Sequence, residues 1–301
     1  MKQTRITDKI TYVEPDSMAR FHSCAGIIVN SSRKIFIDMN LGPEDSKALL
    51  KKEQPHAALI THCHLDHSIW TQFVKKDSMT RVFIPECEAD YLTDLDFVVE
   101  KTAGPFGRSL EWKNFVVNKL GYKPLETYET YNSKATEFPP EMVLVKTPGH
   151  SPGHTSFYFP LEKILFSGDM GLDRFGPWYG WQDCDIKKII ESILRLASLD
   201  VKMILTSHGG IIQGDIHQAW SNSMDHILKR ETRIRQQLDK GLDPEKIIEE
   251  GVFFSRKKSV APPMRSFLDM WDTAMFAHHL NLINQGGILS YFPELKKFSR
   301  S

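Results

Sequence analysis

Three times in this chain a short apolar run ends in small residues followed at once by a histidine or an aspartate. Met142 to Lys146 leads into Thr147-Pro148-Gly149-His150, Lys163 to Phe166 into Ser167-Gly168-Asp169, and Met203 to Leu205 into Thr206-Ser207-His208. A fourth run, Ala57-Ala58-Leu59-Ile60, opens onto Thr61-His62-Cys63-His64-Leu65-Asp66-His67. Apolar runs of this length bounded by turn residues read as strands, so the pattern calls for a sheet fold whose strand ends converge. Imidazole and carboxylate together suit zinc, iron or manganese, and a loop leaving a buried strand can gather them without unravelling the core.

Further strand-like runs occur at Ile10 to Val13, Ala25 to Val29, Lys34 to Ile37, Arg81 to Ile84 and Ser156 to Phe159. Helical signals fall at Pro43 to Lys52, His67 to Lys76 and Ile186 to Leu199, the last with an apolar stripe from Ile186 to Leu196. Between Pro85 and Pro140 the text turns aromatic-rich and charge-mixed, too long for a plain connection, and reads as a helical insertion. From Asp215 onward the chain is helical in pattern, with pieces at Ile216 to Lys240, Pro244 to Glu250 and Phe267 to Asn284. The expected division is a catalytic domain over 1–215, carrying the 85–140 insertion, and a helical C-terminal subdomain over 216–301.

Lysine plus arginine equals aspartate plus glutamate at 38 each, so no global field draws the chain to nucleic acid or anionic lipid. No apolar stretch reaches the roughly 18 to 20 residues of a membrane span, and the first residues lack a signal-peptide core. A cytoplasmic protein acting on a small-molecule substrate, with no membrane partner, is the expectation. The four cysteines, Cys24, Cys63, Cys87 and Cys184, form no CxxC pair, which fits reduced thiols. Nothing in the sequence fixes the oligomeric state.

Strand alternation carried past Ile60 would put His62, His64 and Asp66 on one side and Cys63 on the other. The full series, His62-x-His64-x-Asp66-His67 followed by His150, Asp169 and His208, resembles the motif set of the metallo-β-lactamase superfamily. Asp38 in Phe36-Ile37-Asp38-Met39-Asn40 matches its first motif, and the resemblance runs from about Ala25 to Gly210. It implies an α+β fold, a four-layer αββα sandwich with metals at one edge of two sheets. It also implies two divalent ions, zinc before iron or manganese: His62, His64 and His150 on one, Asp66, His67 and His208 on the other, and Asp169 bridging. Asp66 is in addition the candidate proton relay, and Asp38 the residue that orients a ligand loop.

His64-x-Asp66-His67 with Pro148 to His154 is similar to the glyoxalase II-like branch, which implies hydrolysis of a thioester or lactone. The basic C-terminal patch that holds glutathione in that branch is not recognisable here. A rival is phosphodiester cleavage of RNA, because Ala277 to Ile288 resembles the helix and turn closing a winged-helix-type module; the zero net charge weighs against nucleic acid. The other readings are a mononuclear iron persulfide dioxygenase and a non-catalytic binding scaffold.

Phe175, Trp178, Tyr179 and Trp181, crowded after Asp169, are expected to border the site, either stacking on substrate or plugging the loop against the sandwich. His154, four residues after His150, is assigned a hydrogen-bonded structural role. Arg256-Lys257-Lys258 is expected to be a solvated face.

Overall fold

A computed structural model describes residues 1–17, 22–76, 78–132 and 138–297. The first sheet has seven strands in sequence order: β1 (Lys2–Arg5), β2 (Ile10–Glu14), β3 (Gly26–Asn30), β4 (Lys34–Ile37), β5 (Ala57–Leu59), β6 (Arg81–Pro85) and β7 (Glu129–Tyr131). Strands β1 to β4 are antiparallel and β4 to β7 parallel. The second sheet holds β8 (Val143–Lys146), β9 (Thr155–Phe159), β10 (Ile164–Phe166), β11 (Met203–Leu205) and β12 (Ile211–Gln213), in the order β12-β11-β10-β9-β8.

Alternation along the strands builds the layers. Ile27 and Val29 of β3, Ile35 and Ile37 of β4, and Leu59 of β5 belong to one buried cluster with Phe157 and Phe159 of β9, Phe166 of β10 and Leu205 of β11. Their alternate neighbours Ile28, Phe36 and Ala58, and Leu165 and Ile204 of the second sheet, face outward into a second cluster with the helices. The result is the expected four-layer sandwich. The helices are α1 (Pro43–Glu53), α2 (Leu65–Ser68), α3 (Ala89–Thr93), α4 (Leu95–Thr102), α5 (Ser109–Asn118), α6 (Ile186–Ala197), α7 (Ile216–Asp239), α8 (Pro244–Glu250), α9 (Met264–Asn284) and α10 (Ile288–Tyr291). Helix α6 shows why: Asp185 caps its first turn by accepting from Lys187 and Lys188 N–H, and Ile186, Ile189, Ile190, Ile193 and Leu196 are buried on one face. Each such aliphatic side chain contributes about 1.5–3 kcal/mol when buried.

Three strands have no counterpart in the sequence reading: β1, β7 and β12. All three lie at sheet edges; β1 and β7 are short and polar, as edges that avoid unwanted pairing are, and β12, Ile211-Ile212-Gln213, is only three residues long. Strand β7 also means that the 85–140 insertion is not purely helical, since it returns to pair with β6. The helix expected over His67 to Lys76 is shorter and starts earlier, as α2 followed by a 3₁₀ turn at Ile69–Phe73. Strand β5 ends at Leu59, so Asp66 reaches the site from α2 rather than by strand alternation.

Among the described residues after Gln213 there are only helices and 3₁₀ turns, so nothing forms the wing of a winged-helix module. Trp220 and Met224 of α7 and Phe267 and Trp271 of α9 share one buried cluster with Trp112 of α5 and Tyr179. Lys257 is not on a solvated face. It is 2% exposed, with its ammonium 2.9 Å from Asp269 and 2.8 Å from Asp272 of α9. No helix among the described residues is long and apolar enough to cross a membrane.

Candidate metal centre

The ligand-bearing loops meet where the two sheets end together, and cross-sheet hydrogen bonds fix them there. Ala25 N–H donates to Ser207 O at 2.9 Å and Thr155 N–H to Thr61 O at 3.0 Å. The Tyr12 hydroxyl donates to Thr206 O at 2.7 Å. The His150 loop lies against α6, with Asp185 N–H donating to Gly149 O at 2.8 Å. Gly149 has φ +128°, and a Cβ there would sit 2.4 Å from Ile189 N. Only glycine fits that approach.

Among the described residues, four sets of side chains each bring one ligand atom apiece within 4.8 Å of one another: Cys24, Asp38 and His67; His62, His64 and His150; Asp66, His67 and His208; and His62, His67 and Asp169. The last three sets hold the seven ligand candidates singled out from the sequence. Asp169 Oδ2 stands 3.5 Å from His150 Nε2, 3.9 Å from His67 Nε2 and 3.8 Å from His208 Nε2, so one carboxylate faces both histidine groups. Asp66 Oδ2 lies 3.2 Å from His208 Nε2.

Partners on the outer side of the rings set which nitrogen each histidine presents. His67 Nδ1 lies 2.8 Å from Asp38 Oδ2, and Asp38 also accepts from Thr61 N–H at 2.8 Å and the Thr61 hydroxyl at 2.7 Å. With that hydroxyl donating to Asp38, His62 Nδ1–H donates to Thr61 Oγ1 at 2.8 Å. His150 Nδ1–H donates to Trp178 O at 2.8 Å. In all three Nε2 is the nitrogen left pointing inward, the arrangement in which outer partners orient metal-binding imidazoles. Asp38 holds φ +52°, a left-handed conformation that aspartate tolerates better than most residues.

The donors fit a divalent metal. His64 Nε2 and His67 Nε2 are buried with no hydrogen-bond partner, a costly state for a ring nitrogen unless a cation meets it. His62 Nε2 and His150 Nε2 face each other at 3.1 Å. Two nitrogens at zinc-bonding distance in a tetrahedral site stand about 3.3 Å apart. Burial, reinforced by neighbouring histidines, holds His62 and His64 well below the usual histidine range; burial also lowers His150. All three are therefore neutral, ligand-competent imidazoles. Burial opposes ionisation of Asp66 and Asp169, but the adjacent His67 and His208 outweigh it and hold both carboxyls low.

His154 is not among these sets. Its Nδ1–H donates to Thr147 Oγ1 at 2.8 Å, and its Nε2 accepts Asp169 N–H at 3.0 Å, so both nitrogens are engaged and the ring positions the Asp169 loop. Cys63 is buried beside the site, and Cys24, near His67, donates its thiol to Asp38 O at 3.4 Å, with burial pushing that thiol up to about 12.

A cavity of about 70 Å³ opens above the cluster, lined by His64, Asp66, His150, Asp169 and His208, and by Phe175, Trp178 and Trp181 from the aromatic loop. Tyr179 does not border it, contrary to expectation. It is fully buried, with its hydroxyl 2.7 Å from His279 Nε2 of α9 and accepting from Arg230 of α7 at 3.2 Å. The Arg230 guanidinium also donates to Phe175 O and Pro177 O, pinning the loop whose Trp178 carbonyl holds His150. The loop is thus anchored through Tyr179 to the C-terminal helices α7 and α9, while Phe175, Trp178 and Trp181 face the cavity.

Glu88 was not legible in the sequence. It sits in Glu86-Cys87-Glu88, where a solvated carboxylate is the default reading. In the fold it is buried and accepts Cys63 N–H at 2.7 Å and Gly153 N–H at 2.6 Å, tying the 61–67 loop to the 150–154 loop. Burial pushes its carboxyl from 4.5 up to about 7, against those donors. The native state therefore holds the proton more tightly than the unfolded chain, and stability falls as pH rises from 4.5 to 7, by up to about 3 kcal/mol. Glu88→Gln should remove that slope: for chelator-treated protein, the urea-midpoint difference between variant and wild type should shift in favour of the variant across this window. A constant difference would show that Glu88 does not titrate there.

The model of the metallo-beta-lactamase superfamily matches residues 30–208, more than half of the chain, and the chain belongs to that superfamily. The "Probable metallo-hydrolase YqgX" of Bacillus subtilis is 27% identical over 166 residues, 52% of this chain and 69% of that one. A hydroxyacylglutathione hydrolase of Mesorhizobium japonicum is 26% identical over 149 residues, 48% of this chain and 44% of that protein. Two solved structures share the fold over nearly the whole chain. One is a metallo-beta-lactamase family protein from Thermus thermophilus, with a TM-score of 0.68 and 20% identity over 94% of this chain and 95% of its own. The other is a beta-lactamase domain protein from Burkholderia ambifaria, at 0.71 and 16% over 95% and 89%.

Proposed function

We propose that this protein is a binuclear metal-dependent hydrolase of activated carbonyl compounds, thioesters or lactones. The observation that carries the reading is the pair of histidine groups, His62/His64/His150 and Asp66/His67/His208, facing one carboxylate, Asp169, with buried ring nitrogens that no protein group satisfies. Two divalent ions, when bound, supply a hydroxide at neutral pH and polarise the substrate oxygen.

The chain's own residues do the rest. Asp38, Thr61 and the Trp178 carbonyl fix the ring tautomers, and His154 fixes Asp169. Asp66, ionised and at the cavity wall, is placed to take a proton and return it to a leaving group. Among the described residues lining the cavity there is no lysine or arginine. That supports a carbonyl substrate over the phosphodiester of RNA, which binds chiefly through cations.

Metal content per chain by plasma mass spectrometry, on protein purified without chelator, tests the reading together with thioester, lactone and phosphodiester panels. The expected result is two equivalents and turnover of a thioester or lactone. One iron with oxygen consumption, or cleavage of phosphodiesters alone, would overturn it.

A further inference from the structure

From the ligand cluster the cavity continues as an aromatic wall contributed by segments distant in sequence. Trp178 packs edge-on to the His64 ring at 5.2 Å and to Trp271 of α9 at 5.8 Å. Trp271 meets Trp112 of α5 at 6.1 Å, and Trp112 stacks with Phe115 at 5.8 Å. Leu65 and Leu120 complete the lining. The rings hold one another in place. Trp112 is also edge-on to Phe267 at 4.9 Å, and both Trp112 and Trp271 are almost wholly buried. Beyond Asp66 and Asp169, the ionisable group at the lining outside the histidines is Asp173, another acid.

We propose that this slot takes the uncharged acyl or aryl-acyl arm of the substrate, with its carbonyl at the ligand cluster; the assignment rests on the hydrolase reading. The chemistry of the wall supports it. A pre-formed apolar surface gains about fourfold in affinity per methylene buried, while a lining that among the described residues holds no lysine or arginine offers a carboxylate-ended arm no cation. A glutathione thioester, with two carboxylates and a polar peptide arm, fits this lining poorly. Specificity then comes from α5 and α9, outside the sandwich.

The test is binding of hydroxamates to the metal-loaded protein as isolated, read by intrinsic tryptophan fluorescence, using acetohydroxamate, hexanohydroxamate and a carboxylate-ended hydroxamate of the same chain length. The expected result is a Kd at least tenfold lower for hexanohydroxamate than for either of the other two. Leu120→Trp, which fills the slot, should erase that advantage. Equal dissociation constants in the wild-type series, which needs no variant to fold, would overturn the slot assignment whatever bond the protein cleaves. A preserved hexanoyl preference with silence of the thioester and lactone panels would instead remove the hydrolase reading and leave the slot.

Discussion

Asp169→Ala is expected to strip metal from both halves of the centre and to lower kcat/KM by more than about 100-fold. Loss of an outer partner that merely orients a ligand costs about 10–100-fold, and Asp169 is placed closer to the chemistry than that. Its Oδ2 is within 3.9 Å of Nε2 of His67, His150 and His208, which come from three segments far apart in sequence. Without it the facing imidazoles lose the one carboxylate they share. His208→Ala is the comparison. His208 groups only with Asp66 and His67, so its loss should leave His62, His64 and His150 able to hold one equivalent. Metal per chain by plasma mass spectrometry separates the two: near zero for Asp169→Ala, near one for His208→Ala. Two equivalents retained by Asp169→Ala would end its bridging assignment.

Gly168→Ala should be nearly as damaging without touching a ligand. Gly168 has φ +61°, and an added Cβ would lie 2.6 Å from His154 Nε2 and 3.1 Å from Thr61 Cγ2. His154 Nε2 is the acceptor for Asp169 N–H, so the methyl group drives apart the contact that positions the shared carboxylate. A left-handed conformation costs an alanine about 1–2 kcal/mol by itself, and the clash should bring the total to about 3–4 kcal/mol. Gly210→Ala isolates the first contribution: it has φ +77° and nothing within 4 Å of the new Cβ. Thermal unfolding should show a Tm loss several degrees larger for Gly168→Ala than for Gly210→Ala, and only the former should weaken metal binding. Equal losses would mean that His154 moves aside at no cost.

The candidate ligand set was legible because coordination demands particular atoms at particular chain positions, and His62, His64, Asp66, His67, His150, Asp169 and His208 all follow apolar runs that could be recognised as strands. The inner strands were legible for a related reason: burial on both faces leaves nearly continuous apolar text, as in Ala57-Ala58-Leu59. Edge strands β1 and β7 were not, being short and polar, nor was β12, whose Ile211-Ile212-Gln213 is too short a run to stand out. Nor was Asp66's position on α2, because the chain leaves β5 earlier than periodicity suggests.

Sequence alone therefore determined the donor types, their order and the layers that carry them, since metal chemistry and burial each select residue identity locally. Only the tertiary structure decided what surrounds them. That Glu88 joins two ligand loops, that His154 spends both nitrogens on Thr147 and Asp169, and that Trp178 faces the cavity while Tyr179 turns to His279 all depend on contacts between segments far apart in the chain. A glutamate, a histidine or a tyrosine reads the same in sequence whether solvated, structural or functional. Its role is set by the partner that folding brings within hydrogen-bonding distance.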